Sequence, residues 1–147
     1  MARLPGSVLF ACNYNAVRSP MAAAMLRRLH GRVIFVDSVG LRARPIDPFA
    51  VAVLEEIGID LKEHHSKTFE EMEDTSFDLV ISLTPEAQHR AVELTRTMAC
   101  EVEFWPSPDP TAREGSRAEI LTAYRALRDG LWQRLRERFP AAPTGQV

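Results

Sequence analysis

Runs of consecutive apolar residues alternate along this chain with stretches in which apolar positions recur every three or four residues. Val8 to Cys12 is a short unbroken apolar run, and Ser7 to Cys12 is predicted as a buried strand. From Pro20, Met21, Met25 and Leu29 fall on one face of a helix. Val33 to Val36 predicts a second strand. A helix from Pro48 follows, with Ala50, Val53, Leu54 and Ile57 turned inward and Gly58 closing it. Phe77 to Leu83 predicts a third strand and Pro85 to about Met98 a third helix. Glu101 to Trp105 predicts a short fourth strand. A last helix from about Arg117 to Phe139 carries the stripe Ile120, Tyr124, Leu127, Leu131 and Leu135.

The residues between these segments support the same division. Ser19-Pro20, Asp47-Pro48 and Thr84-Pro85 each place a capping side chain before a proline at the first helical position. Ser116 with Glu119 has capping-box spacing, as does Thr68 with Glu71, which predicts a further short helix. Strand alternating with helix implies an α/β fold: a three-layer sandwich with a four-stranded parallel sheet. Ligands of such sheets bind beyond the carboxyl ends of the strands. That edge is formed by residues 12–19, 37–44, 83–85 and 105–115.

Composition narrows the classes. With 147 residues the chain is expected to form one domain over residues 1–140, with residues 141–147 as a frayed tail. Two cysteines exclude a disulfide scaffold, and no Cys/His cluster has zinc spacing. The formal charge of -2 argues against a nucleic-acid partner. The apolar run at residues 8–12 is too short for a signal-peptide core or a membrane span, so a cytoplasmic protein with reduced thiols is expected. Basic residues are lopsided, 16 Arg against 2 Lys.

The loop Cys12-Asn13-Tyr14-Asn15-Ala16-Val17-Arg18-Ser19 joins the first strand to the first helix. A cysteine six residues before an arginine is weak by itself, but its place between strand and helix gives it meaning. Backbone N–H groups of such a loop converge on a concavity suited to a tetrahedral oxyanion. The helix N-terminus and Arg18 would both favour a thiolate at Cys12. Arg18 could grip two oxygens of the anion in a bidentate fork while sulfur attacks. Asp109 follows the fourth strand in Trp105-Pro106-Ser107-Pro108-Asp109-Pro110, where three prolines restrain the chain. A carboxyl there could protonate a poor leaving group and then activate water.

With these residues the chain resembles the low-molecular-weight protein tyrosine phosphatase family, whose fold is shared by thioredoxin-coupled arsenate reductases. The likeness spans nearly the whole chain. It includes the Cys-x5-Arg-Ser-Pro loop, Asp37-Ser38-Val39-Gly40, Gly58-Ile59-Asp60-Leu61 leading to His64, Asp78, and Asp109-Pro110. The resemblance implies Cys12 as nucleophile, Arg18 as phosphate ligand and Asp109 as acid and base. It implies Asn13, Tyr14, Asn15, Ala16 and Val17 as the rest of the substrate-binding loop. Ser19 would stabilise the thiolate, Asn15 would hold a strained backbone, and Ser38 and His64 would support the loop. No metal and no cofactor are implied. The expected partner is a phosphorylated protein or a small phosphomonoester, with neither nucleic acid nor membrane involved.

Three positions depart from the family pattern. Tyr14 replaces a glycine, Val17 replaces a second loop cysteine of many phosphatases, and Thr111 replaces a tyrosine that lines a phenol slot. Tyr14 or Trp105 could supply the missing aromatic wall. Trp105 to Gly115 looks more like the arsenate reductase branch, yet the first relay cysteine of those enzymes would fall near Thr84. Cys100 lies too far along the chain for that role and reads as an inert buried thiol. Arg42 and Arg44 read as a solvated pair, the alternative being attraction for an anionic substrate. Phosphomonoester hydrolysis is therefore the leading expectation. Arsenate reduction with an external thiol, or phosphate binding without catalysis, are the others.

Overall fold

The computed structural model describes residues 4–73 and 76–141. The expected frayed tail thus falls outside the described residues except for Ala141. Four parallel strands, β1 (Ser7–Cys12), β2 (Phe35–Gly40), β3 (Leu79–Ser82) and β4 (Glu101–Phe104), form one sheet in the order β2-β1-β3-β4. Helices α1 (Arg18–His30), α2 (Pro48–Glu55), α3 (Pro85–Leu94) and α4 (Arg117–Arg138) cover its two faces.

The two-residue period of β1 divides the core. Val8, Phe10 and Cys12 face one side, where they join Met21, Met25 and Leu26 of α1, Val53 and Leu54 of α2, and Leu127, Leu131 and Leu135 of α4. Leu9 and Ala11 face the other, against Ala87 and Ala91 of α3 with Phe69, Phe77 and Met98. Because β1 is buried on both faces and its neighbours leave it in opposite directions along the sheet, its carboxyl end is a topological switch point. Cys12 is its last residue.

Caps form largely as the sequence predicts. Asp47 accepts from Phe49 N at 2.7 Å, and Thr84 accepts from Ala87 N at 3.1 Å. Ser116 and Glu119 exchange both bonds of a capping box. Among the described residues no helix is long and apolar enough to cross a membrane.

Several elements differ from expectation. The second strand runs Phe35–Gly40 instead of Val33–Val36, and Val33 is 64% exposed. Asp37 and Ser38 look like loop residues in sequence, but here they pair with β1 and find polar partners outside the strand. Helix α1 begins at Arg18, with Val17 in the N-cap position and no side-chain cap. Ser19 does not cap it, because its hydroxyl is drawn to Cys12. Thr68 and Glu71 exchange capping bonds, yet close only a turn. Helix α3 stops at Leu94 instead of Met98, where Thr95 takes the C-cap, and β3 and β4 are shorter at their ends than the apolar runs predict.

Candidate active site

The loop from Cys12 to Arg18 has its carbonyls taken from outside. The N–H groups of Leu41, Arg42, Arg44 and Asp47 donate to the carbonyls of Cys12, Asn13, Tyr14 and Ala16, at 2.9–3.1 Å. The Asn15 carbonyl accepts from Ser66 Oγ at 2.7 Å and His64 Nε2 at 3.0 Å. Among the described residues no backbone N–H from Asn13 to Val17 donates to another group of the chain. Unpartnered donors in one short loop, ahead of a helix N-terminus with no side-chain cap, are what an anion requires.

This shape strains the backbone at Asn15, a non-glycine residue at φ 52°. Such a conformation costs roughly 1–2 kcal/mol, and the side chain is locked to hold it. Asn15 Nδ2 donates to Ser19 Oγ and to Ser38 Oγ, each at 2.9 Å, while Oδ1 accepts from Lys67 N at 3.0 Å. Gly40 lies directly behind. A Cβ there would stand 2.6 Å from Asn15 N and from Arg42 O, so only glycine lets the loop seat.

Cys12 is 2% exposed, and its Sγ lies 2.9 Å from Ser19 Oγ. That hydroxyl has one proton and two possible acceptors, Sγ and the Val39 carbonyl at 3.3 Å. A thiolate can only accept, so with Cys12 ionised the Ser19 proton turns to sulfur.

Arg18 is half-buried and donates to the Ser107 carbonyl at 3.2 Å, in the loop that carries Asp109. Among the described residues it has no carboxylate partner. A cavity of about 440 Å³ brings together Cys12, Tyr14, Ala16, Val17, Arg18, Arg44, Asp47, Asp109 and Thr111. Asp109 is exposed and its Oδ1 accepts from Thr111 N at 2.9 Å and Thr111 Oγ1 at 2.6 Å. Thr111 thus orients the carboxylate and supplies no aromatic wall.

Not every predicted substrate ligand turns inward. The Asn13 side chain accepts from Thr84 Oγ1 at 2.7 Å and reaches Glu86 at 3.5 Å, leaving only its backbone amide for an anion. Asn15 likewise spends its side chain on the loop itself. Trp105 is 3% exposed, packs edge-on to Phe10 and lies outside the cavity, so Tyr14 alone among the two candidates lines it. Burial holds the His64 imidazole below its usual range, aided by Arg27 and Lys67. A carbonyl only accepts, so Nε2 carries the proton given to Asn15.

The consecutive lining residues Arg44, Pro45, Ile46, Asp47 and Pro48 lie outside the predicted site set, and two of them are charged. Asp47 reads as a helix cap, and it is one, but its Oδ2 also accepts from Tyr124 Oη at 2.8 Å and its carboxylate borders the cavity. Burial together with Asp47 pushes the Tyr124 phenol up, so it remains a donor. Arg44, read as solvated with attraction for an anion as the alternative, is exposed and also lies over the Tyr14 ring at 3.7 Å. Nothing in the local sequence signals either contact, because each partner comes from elsewhere in the chain.

Comparison with known proteins bears on this site. Residues 7–138 match the family model of the low molecular weight phosphotyrosine protein phosphatases. An arsenate reductase of Halalkalibacterium halodurans is 32% identical over 130 residues, 88% of this chain and 91% of that protein. An arsenate reductase solved in its phosphate-binding state is 28% identical with a TM-score of 0.68, covering 90% of this chain and 95% of its own. A cysteine-to-serine mutant of the YwlE arginine phosphatase, solved with that active-site serine phosphorylated, is 27% identical with a TM-score of 0.71, covering 90% of this chain and 92% of its own.

Proposed function

The chain belongs to the low molecular weight phosphotyrosine protein phosphatase family, and from that premise we propose that it hydrolyses phosphomonoesters through a cysteinyl-phosphate at Cys12. The observation that carries this reading is the presence of Asp109 in one cavity with Cys12 and Arg18. A protein that only bound phosphate would gain nothing from a carboxylate there, since like charges repel.

In the first step the Cys12 thiolate attacks phosphorus. The S–P bond forms, the P–O bond to the leaving group breaks, and the Asp109 carboxyl gives its proton to the departing oxygen. Loop amides and Arg18 hold the equatorial oxygens, where negative charge spreads in the transition state. In the second step water attacks phosphorus, Asp109 takes its proton, and the S–P bond breaks to return the thiolate. Ser19 donates to sulfur at both ends of the cycle. The substrate is a phosphorylated protein or a small phosphomonoester, and no metal or other cofactor enters any step.

A leaving-group series tests the assignment. Asp109→Asn should slow phenyl phosphate by about 10²–10⁴ and 4-nitrophenyl phosphate far less, because nitrophenolate departs without a proton. Cys12→Ser should lose turnover and still bind phosphate. Equal slowing across the series would remove Asp109 from the chemistry, and turnover by the Cys12 variant would remove the nucleophile.

The arsenate reductase relative favours one other reading. Cys12 would displace hydroxide from arsenate. An external thiolate would then attack its sulfur, releasing arsenite with both electrons and leaving a mixed disulfide. Arsenate-dependent oxidation of an added thiol, without aryl phosphate turnover, would select that reading.

A further inference from the structure

Outside the cavity six described arginines, Arg27, Arg90, Arg113, Arg125, Arg128 and Arg138, face a carboxylate, and the other seven do not line the site. Arg44 is different. It has no ion pair among the described residues, yet it lines the cavity that holds Cys12, Arg18 and Asp109. Its guanidinium carbon stands 3.7 Å from the centre of the Tyr14 ring, and its backbone N–H donates to the Tyr14 carbonyl at 3.1 Å.

Those two contacts place the cation without cancelling it, because an aromatic face attracts a guanidinium but carries no net charge. The cavity's own carboxylates are engaged elsewhere. Asp47 serves Phe49 N and Tyr124 Oη, and Asp109 serves Thr111. Arg18, in the proposed reaction, is committed to the phosphoryl oxygens. The wall therefore offers a second cation, and its planar fork suits a carboxylate.

We propose that Arg44, held on Tyr14, is a specificity-determining residue that favours substrates whose leaving group carries a carboxylate beyond the phosphoryl group. The assignment rests on the reading of the cavity as a phosphoryl site. It also gives a use to Tyr14, which stands where related loops have glycine.

Binding of two non-hydrolysable probes, phenylphosphonate and 4-carboxyphenylphosphonate, tests it by calorimetry. The unmodified chain should bind the carboxylated probe about three- to fivefold more tightly at low salt, the size expected of an exposed ion pair. That preference should shrink as ionic strength rises. Arg44→Met should bring the ratio to about one, and Arg44→Lys, which keeps the charge without the fork, should retain part of it. A ratio near one in the unmodified chain, or one unchanged in Arg44→Met, overturns the assignment. So does failure of the unmodified chain to bind either probe. Phenyl phosphate turnover, measured alongside, separates the two readings. If turnover is absent while the preference and its loss in Arg44→Met hold, the hydrolytic reading fails and the role of Arg44 stands.

Discussion

The carboxyl end of β1 and the region around β4 use similar residues in opposite ways. At the carboxyl end of β1, Cys12 sits beside a hydroxyl, Arg18 faces no carboxylate, and a run of backbone N–H groups has no partner within the described chain. Around β4 and the start of β3 such groups find partners. Arg138 reaches Glu103 through Nε at 2.9 Å and Nη2 at 2.7 Å, and Asp78 accepts from Gly6 N at 2.8 Å. Cys100 stands there with burial pushing its thiol up, away from the thiolate. Residue type therefore does not distinguish a reactive region from an inert one. What distinguishes them is which donors and charges the fold leaves unspent, and the strained Asn15 marks the region where it does so.

Exchanging arginine for lysine in each region should break this symmetry most strongly. Arg18→Lys removes a planar fork from a site built for a tetrahedral anion, and turnover of an aryl phosphate should fall about 100-fold or more. Phosphate binding should fall with it. Arg138→Lys replaces one side of a half-exposed ion pair, and the melting temperature should move by only a few degrees with turnover kept. Comparable turnover losses in both variants would show that unpaired charge is not what sets the Cys12 end apart.

A smaller perturbation tests the backbone instead of the charge. Gly40→Ala adds one carbon that would meet Asn15 N and Arg42 O, both main-chain atoms that cannot rotate aside. Overpacking of this kind costs about 1–3 kcal/mol. The loop has to shift, so phosphate affinity should fall together with thermal stability. If the variant melts lower but binds phosphate normally, the seating of the loop on Gly40 does not govern the anion site.

Most of the architecture was legible because its signals are local. The unbroken apolar run Val8 to Cys12 and the Asp-Pro and Thr-Pro caps act within a few residues of one another. The site was legible only in part. Cys12, Arg18 and Asp109 could be assigned to one edge by topology, and the structure places them around one cavity. The misplacement of β2 has a physical reason: Asp37 and Ser38 are tolerated in a strand through Lys67 and Asn15, 30 and 23 residues away. Ser19 misled for the opposite reason, since its local capping preference yields to a sulfur seven residues back. Arg44 and Asp47 gained their roles from packing on Tyr14 and Tyr124, contacts that no periodicity shows.

The smallest effect is expected at the second thiol. Strand register places Cys100 level with Asp78, just before β3, and Ser7 of β1, because Glu101 pairs with Leu79 and Leu79 with Val8. Cys12 is five residues further along β1, about 16 Å at the usual rise, and β4 lies two strand spacings away, about 10 Å across the sheet. A disulfide needs Cα atoms within about 7 Å. Cys12 and Cys100 therefore cannot join without dismantling the sheet, and they are the only two cysteines in the sequence. Cys100→Ser should change aryl phosphate turnover by less than about twofold, with a loss of stability on the order of 1 kcal/mol from its partly buried side chain. Mass spectrometry after oxidant or arsenate treatment should find no Cys12–Cys100 link in the folded monomer. Finding one, with a thiol donor restoring both cysteines, would show that the two regions communicate and would make an internal thiol relay the better account of the chemistry.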